Sequence, residues 1–174
     1  MMIRDATAND ISGIANLHAE SWRSSYRGIL SDNYLENHVF GDRLAVWKGR
    51  YSEASNKPMI VLVAEINSEL TGFACVYPDE DVVFGSFLDN LHVAPPLTGH
   101  GIGRRLLSEA ASRLIASGSR AGLYLWVIEQ NHRALQFYER AGAAVVGSCA
   151  NVMPDGRQVV ALRCYWKNPA TLFQ

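Results

Sequence analysis

LDNLHVAPPLTGHGIGRRLLSEAASRLIASG, residues 88–118, reads as strand, glycine turn and helix in direct succession. In the first six residues leucine and valine are interleaved with Asp89, Asn90 and His92, which fits a strand. Pro95 and Pro96 then end any ladder, because proline has no N–H to donate. From Ile102 the apolar residues fall at Ile102, Leu106, Leu107, Ala110, Ala111, Leu114 and Ile115, one face of a 3.6-residue helix that Gly118 can stop. The turn between them, Thr98-Gly99-His100-Gly101-Ile102-Gly103, carries three alternating glycines. Without Cβ atoms, backbone can approach a ligand closely. The loop also opens a helix, where unpaired N–H groups and the helix dipole favour an anion. Its natural guest is a phosphate or pyrophosphate, with Arg104 and Arg105 adding positive charge behind it.

Two common phosphate loops fail on spacing. The GxxxxGK loop needs a Gly-Lys pair, and the chain has none. The GxGxxG fingerprint, begun at Gly99 or Gly101, requires glycine where Arg104 or Leu106 stands.

Outward from that core, residues 1–6 suit an opening strand. Thr7 and Asp10 form an approximate capping box before a helix face of Ile11, Ile14, Ala15 and Leu17. The aromatics and arginines of residues 21–31 show no clear period. Ser31 can cap a short helix over 32–37, and a further helix is predicted over 43–51. Residues 59–66 and 70–77 read as an antiparallel hairpin, and 78–81 as an acidic turn. A buried strand over 121–128 leads into a helix over 132–141, with Gly142 as its C-terminal stop. Strands over 143–150 and 159–165 follow, and residues 166–174 carry little pattern. No repeat, low-complexity tract or linker intervenes, so residues 1–174 are expected to form a single domain. The order implies an α+β fold on a mixed, mostly antiparallel sheet.

The loop, GxGxG between a strand and an Arg-Arg-Leu-Leu helix, resembles the acyl-CoA pyrophosphate loop of the GNAT N-acetyltransferase superfamily. That loop is written [Gln/Arg]-x-x-Gly-x-[Gly/Ala] and maps onto Thr98, Gly101 and Gly103, with Thr98 as a departure. The stretch LWVIEQNHRALQFYERAG, residues 125–142, resembles the family's second signature of a strand, Asn, and a helix bearing Ala and Tyr before a Gly turn. The element order is also the family's, from Ile3 to about Tyr165. The resemblance implies six to seven strands, four to five flanking helices, and two central strands that splay apart around the cosubstrate.

It further implies acetyl-CoA as cosubstrate, held by the backbone around Leu91, His92 and Val93, by Thr98, Gly99, His100, Gly101, Ile102, Gly103 and Arg104, and by Asn131, Arg133 and Ala134. Asn131 also suits a helix N-cap. Tyr138 occupies the place of the usual general acid, which protonates the leaving thiolate. Where relatives often carry a basic Glu or His, this chain has Phe87 and Asp89, so Asp89 is the candidate base. Period-two alternation puts His92 on the opposite face from Asp89, as a core or surface histidine. Trp22 and Tyr26 fall in the region that walls the acceptor cleft in relatives. Trp126 stands where some protein-acetylating relatives carry Glu, which favours a small-molecule amine over a protein N-terminus. A catalytically silent acyl-CoA sensor is the competing class, and Tyr138 counts against it. The relatives also make a homodimer possible.

Composition narrows the rest. A net charge of −1 argues against a dedicated nucleic-acid binder. Cys75, Cys149 and Cys164 lie far apart in apolar runs, as reduced core thiols do. No apolar run approaches a membrane span and no signal core opens the chain, so a cytoplasmic location is expected. The five histidines lack metal-ligand spacing, and no Ser or Cys shows a nucleophile–base arrangement, so direct transfer without a metal or a covalent enzyme intermediate is expected.

Overall fold

A computed structural model describes residues 1–52, 57–119 and 122–173. The elements run β1 (Met2–Asp5), α1 (Ile11–Ser25), α2 (Asp32–Asn37), α3 (Val39–Arg50), β2 (Ile60–Ile66), β3 (Glu69–Asp81), β4 (Gly85–Val93), α4 (Ile102–Ala116), β5 (Leu123–Ile128), α5 (His132–Arg140), β6 (Ala144–Val152) and β7 (Gln158–Trp166). The strands form one sheet in the order β1-β2-β3-β4-β5-β7-β6. Every neighbouring pair is antiparallel except β4 and β5.

The β-branched run of β2 is buried on both faces, because alternate residues feed two cores. Leu62 and Ala64 join the α4 side; Val61 and Val63 join α1 and α3. Its hairpin to β3 turns on Asn67 and Ser68, both at positive φ (52° and 66°), the geometry that suits right-twisted strands. Gly72 lets α4 lie close to the sheet. A Cβ there would stand 2.9 Å from Leu106 Cδ1 and 3.0 Å from the His92 carbonyl.

Helix α1 continues through Ser25, where no period was legible. Its apolar residues serve two cores at once, Ile14 and Leu17 facing Trp47 and Phe73 while Ala19 and Trp22 face Leu30 and Tyr34. Ser31 caps α2 by accepting from the Tyr34 N–H at 3.3 Å. Helix α3 starts earlier than expected, at Val39. Strand β3 absorbs the acidic segment, and the turn falls at residues 82–84, where Asp81 accepts from the N–H groups of Val83 and Phe84. Of the predicted strand over 121–128, Ala121 lies outside the described residues. The patternless tail forms a 3-10 turn at Pro169–Phe173 that buries Leu172 in the α4 core. Cys75 and Cys164 are buried, but Cys149 is exposed. It sits on β6, an outer strand exposed along its whole length, so an apolar run there does not mean a core.

Between β3 and β4 the register slips. Cys75 pairs with Asn90 and Val76 with Leu88, leaving Asp89 as the extra residue of a β-bulge. The bulge cancels the expected alternation: Asp89 and Asn90 both reach Arg50 of α3, and His92 reaches Ser21 of α1. His92 is therefore on the same side of the sheet as Asp89.

Candidate active site

Strands β4 and β5 pair only at Ser86–Leu123 and Phe87–Tyr124 and then diverge. The divergence opens a cleft of about 480 Å³, lined on one wall by Leu88, Asp89, Leu91, His92 and Val93 and on the other by Leu125, Trp126 and Val127. Two adjacent parallel strands that part this way leave inward-facing backbone N–H and C=O groups for an extended polar chain to pair with.

One end of the cleft is the glycine loop. Gly99 and Gly101 sit at φ 89° and 81°, left-handed conformations that glycine adopts at little cost. Gly101 is the N-cap of α4, so the loop delivers the first N–H groups of a 15-residue helix to the cleft mouth. Thr98, Gly99, Gly101, Gly103 and Arg104 line it. The Thr98 hydroxyl donates to the Pro95 carbonyl at 2.9 Å, so the departure from Gln or Arg serves to brace the turn. Among the loop residues, the Ile102 side chain is buried in the α4 core and His100 is exposed outside the lining.

Helix α5 supplies the opposite rim through Asn131, Arg133, Ala134 and Tyr138. Asn131 caps α5, its Oδ1 accepting from the Ala134 N–H at 3.2 Å. The Tyr138 phenol is pushed above its ordinary pKa, first because burial withholds water from the phenolate, then by neighbouring Tyr26 and Cys164. It stays protonated across the working pH range. Burial likewise raises Tyr26, partly offset by its hydrogen bond with Asn131.

Asp89 lines the cleft with its carboxylate engaged by Arg50, whose Nη1 also donates to Asn90 Oδ1 at 2.7 Å. Arg50 in turn lies over the Trp47 ring at 4.6 Å, so α3 clamps the bulge. Trp126 lines the cleft under the guanidinium of Arg163 at 4.5 Å. Tyr26 lines it too, but Trp22 does not. Its ring packs against Tyr26 and Tyr34 and carries the guanidinium of Arg43 at 4.4 Å.

Sequence reasoning missed Ser21, Ser24 and Ser25, which line the cleft beside Tyr26. It also missed that Ser21 Oγ lies 2.8 Å from His92 Nδ1, a hydroxyl–imidazole pair that the bulge makes possible. The His92 ring lies tilted against His18 at 4.4 Å between centroids; His18 is buried and accepts at Nδ1 from Trp47 Nε1 at 3.2 Å. Burial is the main force on both rings. It pushes His92 down to about 3, with Arg43 adding to it, and holds His18 well below its ordinary value.

Both histidines therefore bind protons in the unfolded chain that the folded chain refuses. Stability is full above pH 6.5 and is lost as pH falls toward 3, by at most about 1.4 kcal/mol per pH unit for each ring and less for the partly exposed His92. Urea unfolding between pH 7 and pH 5 should show this decline, and His18→Gln should reduce its slope to the part that His92 contributes. A flat profile in the parent protein would contradict the buried-neutral assignment.

Residues 14–143 match the model of the acetyltransferase (GNAT) family. The chain is 32% identical over 139 residues to the uncharacterized N-acetyltransferase YuaI of Bacillus subtilis, covering 79% of this chain and 76% of that one. It is 26% identical over 153 residues to the spermidine N(1)-acetyltransferase of Thermoplasma acidophilum, covering 82% and 88%. Its fold superposes with a TM-score of 0.69 on the PaiA N-acetyltransferase of the same organism, crystallised with coenzyme A, at 22% identity over 95% of this chain and 98% of the other. Among the described residues no helix is long and apolar enough to cross a membrane.

Proposed function

The chain belongs to the GNAT family of N-acetyltransferases, and we propose that it moves an acetyl group from acetyl-CoA to a primary amine of a small molecule by direct transfer. One observation carries the reading: β4 and β5 part above a glycine loop that opens α4, and Tyr138 stands in the wall of the gap.

In this reading the N–H groups at the start of α4 take the diphosphate, and Arg104 and Arg133 supply positive charge at the rim. The backbone of Leu91 and Val93 pairs with the pantetheine amides as a short added strand. Asn131 helps hold that arm while capping α5. The acetyl thioester then lies beside Tyr138. Amine attack on the thioester carbon forms the C–N bond and breaks C–S, and the electron pair leaves on sulfur. Tyr138 delivers its proton to that sulfur. A phenol of raised pKa is a weaker acid, yet the thiol formed in the same desolvated slot has its own pKa raised, so the transfer stays matched. Asp89, fixed by Arg50, gives an approaching ammonium a negative partner, and Tyr26 and Trp126 offer it aromatic faces.

The relative named for spermidine supports an amine as the acceptor class. The three serines and Trp126 that narrow the acceptor side support a small molecule rather than a protein chain. Following free thiol while the protein is mixed with acetyl-CoA and either small amines or peptides tests the choice. Thiol release with small amines is expected; release with peptides alone would contradict it.

A further inference from the structure

The side chains of Ser21 and His92 form a polar pair in the cleft wall, separate from the backbone groups and the Tyr138 hydroxyl to which the proposed reaction gives the coenzyme A arm and its sulfur. Their geometry is tightly set. The imidazole of His92 is packed against Phe73 at 5.2 Å and His18 at 4.4 Å, and its Nδ1 meets Ser21 Oγ at 2.8 Å. His18 cannot substitute for it. Indole N–H only donates, so the bond from Trp47 leaves His18 Nδ1 bare but occupied, and its proton sits on Nε2, which is buried without a partner. The charged and titratable groups facing His92 are His18 from α1 and Arg43 from α3; β3 contributes Phe73. Among the described residues no carboxylate is paired with the ring to hold a resting proton there, so His92 enters the reaction with an unprotonated nitrogen.

We propose that Ser21 and His92 take up the proton that the acceptor amine gives off during attack. The assignment rests on the N-acetyltransferase reading. The acceptor ammonium first loses one proton to solvent; as the neutral amine nitrogen then bonds to the thioester carbon, one of its N–H protons passes to Ser21 Oγ while the Ser21 proton passes to His92 Nδ1, with His92 starting as the Nε2–H tautomer. The C–S electron pair leaves on sulfur, which gains its proton from Tyr138. The imidazolium and phenolate that remain are neutralised by one proton lost to solvent and one gained from it, so the sum is amide plus thiol. A half-buried imidazole of low resting basicity can accept because the amine nitrogen grows more acidic as its bond to carbon forms. Negative charge also develops in the same cleft at that moment. Asp89 is less suited, since Arg50 already engages its carboxylate.

The test compares Ser21→Ala and His92→Gly with the parent protein in thiol-release kinetics across pH, with coenzyme A affinity measured by calorimetry. Turnover at neutral pH should fall by about 100-fold or more, the range for a lost general base, with affinity unchanged. The deficit should narrow as rising hydroxide replaces the relay, and added imidazole should partly restore His92→Gly. A folded Ser21→Ala protein that keeps turnover within roughly threefold overturns the proposal. A deficit equal at every pH with no imidazole rescue also overturns it, by reducing the pair to packing. So does a covalent acetyl on Ser21 after acetyl-CoA alone, which would make the pair a nucleophile and its base. If the parent protein binds coenzyme A yet acetylates no amine, the underlying reading fails together with it.

Discussion

Replacing Gly101 with valine should weaken coenzyme A binding by about 10- to 100-fold while leaving the protein folded. Gly101 holds φ 81°, where a β-branched residue is strained by about 1–3 kcal/mol, and each 1.4 kcal/mol is tenfold in affinity. A Cβ at this position meets no protein atom within 4 Å, so the core has no cause to collapse. The strain is relieved instead by turning the loop amides out of line, which removes the anion site. Gly103→Ala is the matched control. Its Cβ would stand 3.6 Å from Phe137 and 3.7 Å from Val93, ordinary packing distances, and its loss should be several-fold smaller. Isothermal titration of both variants decides the matter. Equal losses would mean that bulk in the loop, and not its left-handed backbone, sets the affinity.

Tyr138→Phe should lower turnover by about 100-fold or more with coenzyme A affinity unchanged, because only the hydroxyl is removed. The ring contacts survive: Trp166 lies edge-on at 6.0 Å and Phe137 at 5.2 Å, and phenylalanine fills the same space. Single-turnover thiol release separates chemistry from product loss here. Turnover that stays at the parent level would remove Tyr138 from proton transfer and hand that task to water.

The two predictions draw on the parts of the chain that were easiest to read. Alternating glycines before an amphipathic helix leave few structures open, and the loop, α4 and α5 fall where periodicity and caps put them. Asn131 does cap α5, through the residue type that favours it. The wall formed by α1 and β4 was harder, for reasons of register and of shared faces. A bulge adds one residue without changing composition, so the turn of His92 onto the side of Asp89 left no trace in the alternation of β4. The phase of α1 beyond Leu17 was hidden because its residues divide between two cores, and Ser21, Ser24 and Ser25 went unread with it. Arg50 and Asp89 are separated by 39 positions, and neither residue type announces the other. In the sequence Trp22 reads as a pocket wall, because aromatics next to arginine suit one. In the fold its face is taken by Arg43, and the neighbouring Ser21, Ser24 and Ser25 reach the cleft.

The most direct examination of the whole account is a calorimetric titration of coenzyme A into the intact protein. A single site saturating at one equivalent, with affinity weakened in Gly101→Val and kept in Tyr138→Phe, is the expected outcome. A folded protein that gives no binding heat and no shift in melting temperature at millimolar coenzyme A would contradict the assignment of the cleft, and with it the acetyl transfer.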